Sequence, residues 1–92
     1  MQSDGGDEVG KFEKAKERLK AVPSDYTYDE ARALLSHMGF TEYTKGKTSG
    51  SRVIFIKGNA RILLHKPHPG NVMKQYAVRQ LADELNGLGE LL

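Results

Sequence analysis

The 92-residue chain contains no cysteine. That absence removes disulfide frameworks, thiolate metal sites and cysteine nucleophiles together, and it suits a reducing compartment. Long apolar runs are also missing, since stretches such as Ile62 to Leu64 fall far short of the roughly 20 residues a membrane span needs. Met1 to Gly10 is too acidic and polar for a signal peptide. A soluble, cytoplasmic protein with no membrane partner is expected, and the length allows one domain with a single modest core.

A further absence is local. The net charge is only +2, but the signs are segregated. Thr44 to Arg79 carries Lys45, Lys47, Arg52, Lys57, Arg61, Lys66, Lys74 and Arg79 without one Asp or Glu. Pro23 to Tyr43 holds one base against four acids, and Gln80 to Leu92 holds three acids and no base. A block free of carboxylates concentrates positive potential, and its usual partner is a polyanion such as nucleic acid. The plainer alternative is a solvated basic surface on an ordinary domain.

The elements can be read along the chain. Met1 to Gly10, with three glycines and three acids, has too little hydrophobic surface to offset its ordering entropy, so residues 1–10 read as a disordered tail or a cloning remnant. Phe12, Ala15, Leu19 and Val22 recur at helical spacing until Pro23 ends the run. Thr27-Tyr28-Asp29-Glu30 has the form of a capping box, opening a helix with Ala31, Leu34, Leu35 and Met38 on one face and Gly39 as its stop. The period then changes to that of strands: Phe40 to Lys45, Arg52 to Lys57 and Ala60 to Lys66. Gly58-Asn59 between the last two predicts a type II′ hairpin. Val78, Leu81, Ala82 and Leu85 mark a last helix, stopped at Gly87 and Gly89. The prediction is an α+β two-layer sandwich over residues 11–92, with helices on one sheet face and the other face free.

Several residues could carry chemistry. Lys45 to Ser51, "KGKTSGS", offers ammonium groups, hydroxyls and backbone N–H groups to an anion. It lacks the spacing of a nucleotide-binding P-loop. His65 ends the third strand, and His68 stands between Pro67 and Pro69, which hold it in an extended corner before a helix. A histidine there could take a proton from a ribose 2′-hydroxyl and return one to the leaving oxygen, while nearby cations stabilise the phosphorane. Hydrogen bonding of both histidines to backbone carbonyls is the structural alternative. A metal site from His37, His65 and His68 would need a carboxylate or cysteine close by, and none is adjacent in sequence, so neither metal nor cofactor is expected. Lys74 near the start of the last helix, with Arg79 about a turn on, makes a second anion site with the helix N-terminus.

The helix, three-strand meander, helix order, the "SGSRVIF" leading into the second strand, and "LHKPHPGN" running into "MKQYAVRQLADEL" resemble the HicA toxins of bacterial type II toxin–antitoxin systems. The resemblance spans roughly Tyr26 to Leu88, and Gly50-Ser51 and His68-Pro69-Gly70 are its most specific parts. It implies a double-stranded-RNA-binding-like α-β-β-β-α fold, to which the first helix is an addition. It also implies metal-independent cleavage of mRNA and neutralisation by a HicB antitoxin that covers the active face. One departure stands out. The family's catalytic histidine follows the Gly-Ser pair directly or one residue later, where this chain has Arg52 and Val53. An arginine holds phosphate but stays protonated, so it accepts no proton at neutral pH.

The expected function is therefore a metal-independent endoribonuclease toxin, with His68 and, to a lesser degree, His65 as catalytic residues. Lys47, Gly50, Ser51, Arg52, Lys66 and Lys74 are expected to bind RNA phosphates. The alternatives are a non-catalytic module that binds RNA and antitoxin on the same fold, and an adaptor that uses the free sheet face for protein partners.

Overall fold

The computed structural model describes residues 4–44, 52–67 and 70–91. The elements run α1 (Asp4–Lys20), α2 (Tyr28–His37), β1 (Thr41–Thr44), β2 (Arg52–Lys57), β3 (Ala60–His65) and α3 (Gln75–Gly87). The chain thus has the α+β organisation expected of it, with an α-β-β-β-α order following the extra first helix.

Helix α1 starts at Asp4, seven residues before Lys11, so residues 4–10 of the expected disordered tail are helical. The apolar spacing that predicts the helix begins only at Phe12. Once a helix is nucleated, each further residue adds one hydrogen bond for two dihedrals fixed, and no proline precedes Pro23 to stop it. At its other end α1 stops at Lys20, and Val22 takes a φ of +50°. A β-branched residue in the left-handed region carries about 1–2 kcal/mol of strain. The Gln75 side chain donates to the Val22 carbonyl at 2.8 Å, which helps hold the turn.

The start of α2 follows directly from its sequence. Thr27 is extended, its hydroxyl accepts from the Glu30 N–H at 3.1 Å, and Glu30 Oε1 accepts from the Thr27 N–H at 2.9 Å. Both halves of the capping box are formed, and Ala31, Leu34, Leu35 and Met38 are buried. Gly39 ends the helix at a φ of +103°. The nearest atom to a Cβ there would be Lys57 Cε at 3.6 Å, so backbone conformation rather than space demands the glycine.

The three strands form an antiparallel sheet in the order β1-β2-β3. Between β2 and β3 the pair Lys57↔Ala60 closes a two-residue turn. Gly58 has a φ of +59° while Asn59 is not in the left-handed region, the type II′ rather than the type I′ pattern. Val53 and Phe55 of β2 and Ile62 and Leu64 of β3 are buried, together with Leu19, Tyr26, Leu34, Leu35, Val78, Leu81 and Leu85 from the helical side. After α3, Leu91 is buried and Glu90 Oε2 accepts from Lys57 Nζ at 2.6 Å, tying the hairpin to the end of the chain. Because side chains alternate along a strand, burying Val53, Phe55, Ile62 and Leu64 under the helices turns Arg52, Ile54, Arg61, Leu63 and His65 to the opposite face.

Candidate functional site

The β2–β3 register sets Arg52 directly opposite His65, and both side chains are exposed on the face away from the helices. Residues opposed in this way hold their Cβ atoms roughly 4.5–5.5 Å apart, close enough for a guanidinium and an imidazole to contact one ligand. Lys66, also exposed, follows at the end of β3. Among the described residues Arg52, Arg61 and Lys66 form no ion pair, whereas Lys57, from the same carboxylate-free block, is held by Glu90.

Lys74 is the N-cap of α3, exposed and extended at φ −68° and ψ 144°, with no side-chain capping bond. The first turn of α3 contains no acid. The end of a helix that is neither capped by a side chain nor neutralised by a carboxylate keeps its partial positive charge available to an anion.

Lys47, Gly50, Ser51 and His68 lie outside the described residues. The chain just after His68 and Pro69 is fixed to the start of α2. The Tyr28 N–H donates to the Asn71 carbonyl at 2.8 Å, and the Met73 N–H donates to the Tyr26 carbonyl at 2.8 Å. These bonds flank an antiparallel bridge between Thr27 and Val72. Asn71 Nδ2 also donates to Asp29 Oδ2 at 3.2 Å, and Gly70 turns the chain at a φ of +93°. The connection between β3 and α3 is therefore anchored at its second half.

The geometry separates the histidines considered for a metal. His37 sits in the last turn of α2 with its ring centroid 4.3 Å from that of Phe12, in the helical layer, while His65 points from the far face of the sheet. The two cannot share an ion, and among the described residues no group of three or more metal-ligating side chains occurs. No helix among the described residues is long and apolar enough to cross a membrane.

The helical side has its own electrostatics. Arg18 Nε donates to Glu30 Oε2 at 2.6 Å and its Nη2 donates to Asp25 Oδ1 at 3.1 Å, joining α1 to the capping box of α2. The hydrogen bond from Arg18, with the backbone N–H of Thr27 assisting, holds the Glu30 carboxyl below the usual glutamate range, and the same contact raises Arg18. Arg32 Nε donates to Glu42 Oε1 at 2.8 Å, linking α2 to β1, and Glu42 raises the Arg32 guanidinium. Burial raises both Tyr26 and Tyr28 above the ordinary phenol value. These pairs hold the scaffold, and none faces the Arg52–His65 side.

The middle of the exposed face is not legible in the sequence. Tyr43, Ile54 and Leu63 are cross-strand partners in one row, with Tyr43 52% and Leu63 47% exposed. The run "RVIFIK" is apolar at four successive positions, so its pattern gives no phase; the phase follows only once Val53 and Phe55 are seen beneath the helices.

No curated protein and no solved structure matches the chain. The family profile described as HicA toxin of bacterial toxin–antitoxin matches residues 28–86. The match begins with α2, takes in the whole sheet and reaches the last turn of α3, leaving α1 outside. It therefore covers the fold unit that carries both the Arg52–His65 pair and the α3 N-terminus, and the chain belongs to the HicA family of toxins from bacterial toxin–antitoxin systems.

Proposed function

We propose that the protein is a cytoplasmic toxin that binds mRNA and cuts it without a metal ion, and that a HicB-type antitoxin neutralises it by covering the active face. The observation that carries this reading is the pairing of Arg52 with His65 on an exposed sheet face. Arginine matches the planar geometry of a phosphate through two parallel N–H bonds and stays charged at all relevant pH. The imidazole opposite it can both accept and donate a proton, which a guanidinium cannot.

In this reading Arg52 holds the scissile phosphate. One of His65 and His68 takes the proton of the ribose 2′-hydroxyl as its oxygen bonds to phosphorus. The other gives a proton to the 5′-oxygen as the P–O5′ bond breaks. Arg52, Lys66 and the Lys47–Ser51 loop offset the charge that develops on the phosphorane. Lys74 and the N-terminus of α3 hold a phosphate further along the strand.

A second reading has a specific observation in its favour. Arg52 stands where the family has its histidine and cannot serve as a base, so a protein that binds RNA and antitoxin without cutting uses the same surface.

The deciding experiment uses purified protein free of antitoxin, a structured mRNA fragment and a chelator in the buffer. The double variant His65→Ala/His68→Ala should lose roughly 100-fold or more in cleavage rate while its unfolding midpoint and RNA affinity stay close to those of the parent. Wild-type cleavage should follow a bell-shaped pH profile, as a paired general acid and general base require. Combined replacement of Lys47, Arg52 and Lys66 by alanine should flatten the salt dependence of binding. Undiminished cleavage by the double variant removes the histidines from the mechanism. Absence of cleavage by wild type, with salt-sensitive RNA binding retained, establishes the binding module.

A further inference from the structure

The geometry points to the exposed sheet face as a platform for unpaired RNA bases, with Tyr43 stacking on the base beside the phosphate that Arg52 and His65 hold. This inference rests on the RNA reading above and adds to it the form of RNA recognised.

Three rows of side chains cross that face. Arg52 and His65 form the first, Tyr43, Ile54 and Leu63 the second, and Thr41, Ile56 and Arg61 the third. Successive rows on one face are two residues apart, roughly 7 Å along the strands. An apolar row headed by an aromatic ring therefore lies between two cationic ends, Arg52 on one side and Arg61 on the other. Among the described residues no carboxylate reaches this face from any strand. Glu42, the acid within β1, is in register with buried Phe55 and is held by Arg32 on the helical side.

The chemistry selects the occupant. A half-exposed tyrosine ring beside Ile54 and Leu63 gains by covering a flat apolar surface, and the arginines on either side favour a chain with negative charges at intervals. A single-stranded nucleic acid offers both, bases with open faces and phosphates between them. A duplex offers the phosphates, but its base faces are already stacked on one another, so the apolar row would stay uncovered. Stacking of this kind tolerates any base, so Tyr43 contributes affinity for unpaired RNA rather than a sequence code.

The test measures binding of a 2′-O-methyl RNA 12-mer of unstructured sequence, which its own 2′-oxygens cannot cut, against the same strand annealed to its complement. Wild type should bind the single strand more tightly. Tyr43→Ala should weaken single-strand binding by roughly five- to hundredfold, leave duplex binding and the unfolding midpoint unchanged, and keep the salt slope. Tyr43→Phe should bind like wild type, whereas Arg61→Ala should reduce the salt slope. Equal binding of single strand and duplex, with Tyr43→Ala indistinguishable from wild type, overturns the platform and leaves the RNA reading standing. Failure to bind either RNA at low salt overturns both. If Tyr43→Ala weakens binding of the antitoxin encoded beside the toxin but not of RNA, the face is a protein-docking surface and the platform is wrong.

Discussion

The two sides of the sheet use similar residues to different ends. On the helical side Phe55, Val53, Ile62 and Leu64 are all but inaccessible, and the cations that tie its elements together end on carboxylates: Arg18 on Glu30 and Asp25, Arg32 on Glu42, Lys57 on Glu90. On the open side Ile54, Leu63 and Tyr43 are partly or largely exposed, and Arg52 and Arg61 have no acid to meet among the described residues. Apolar content does not distinguish the two sides. Charge pairing does, because a pair within the chain uses up the field that an unpaired arginine leaves available to a ligand. One side is arranged for cohesion, and the other leaves its arginines open, as the proposed RNA-binding role requires.

The largest effect that can test this contrast is a truncation on each face. Phe55 is 1% exposed, and Phe55→Ala should cost about 3–5 kcal/mol in urea unfolding, a large part of the 5–15 kcal/mol typical of a folded domain. Leu63→Ala, on the open side, should cost about 1 kcal/mol or less. Similar losses at both positions would mean that the open face is covered in solution, by a second copy or another part of the chain.

Local signals made much of this architecture legible, and long-range ones did not. The capping box at Thr27 and Glu30, the glycine stop at Gly39, the limits of β2 and the Gly58-Asn59 turn all depend on residues a few positions apart, so a short window contains their physics. The start of α1 lay beyond the apolar repeat that signals a helix. The bridge of Thr27 to Val72, the Arg18–Glu30 pair and the Lys57–Glu90 pair join residues far apart in sequence, and composition says nothing of such partners. The candidate site divides in the same way. Arg52 is legible from a motif and His65, separately, from a strand end. Their opposition is a property of register, and so is the Tyr43–Ile54–Leu63 row.

A smaller effect probes the cap that holds the helical side in place. Thr27→Ala removes the acceptor for the Glu30 N–H and should cost about 1 kcal/mol, roughly 4–8 °C in the unfolding midpoint of a domain this size. Thr27→Ser, which keeps the oxygen, should recover most of it. The control on the other side is Arg61→Ala, expected to leave the midpoint where it was. If Arg61→Ala destabilises as much as Thr27→Ala, the open-side cation is part of the scaffold and the contrast fails.

The smallest expected effect concerns the charge on Glu30, and its sign can be worked out. Hydrogen bonds from Arg18 and Thr27 lower the Glu30 pKa in the folded chain relative to an ordinary glutamate near 4.3. The unfolded chain therefore binds this proton more readily, and the ionised carboxylate stabilises the fold. That contribution is complete above roughly pH 5, shrinks as the pH falls through the ordinary glutamate range, and is gone below the folded value. Other acids titrate in the same window, so the informative quantity is the difference in unfolding midpoint between wild type and Glu30→Gln, in which this group no longer ionises. The difference should be level from about pH 5 upward and should shrink as the pH falls through the ordinary glutamate range. It should also narrow in about 1 M salt, because Arg18 and Glu30 are both partly exposed to solvent. A difference that persists unchanged at pH 3 would show that Glu30 acts through shape and neutral hydrogen bonding. The pairing of charges would then no longer separate the helical side from the open one.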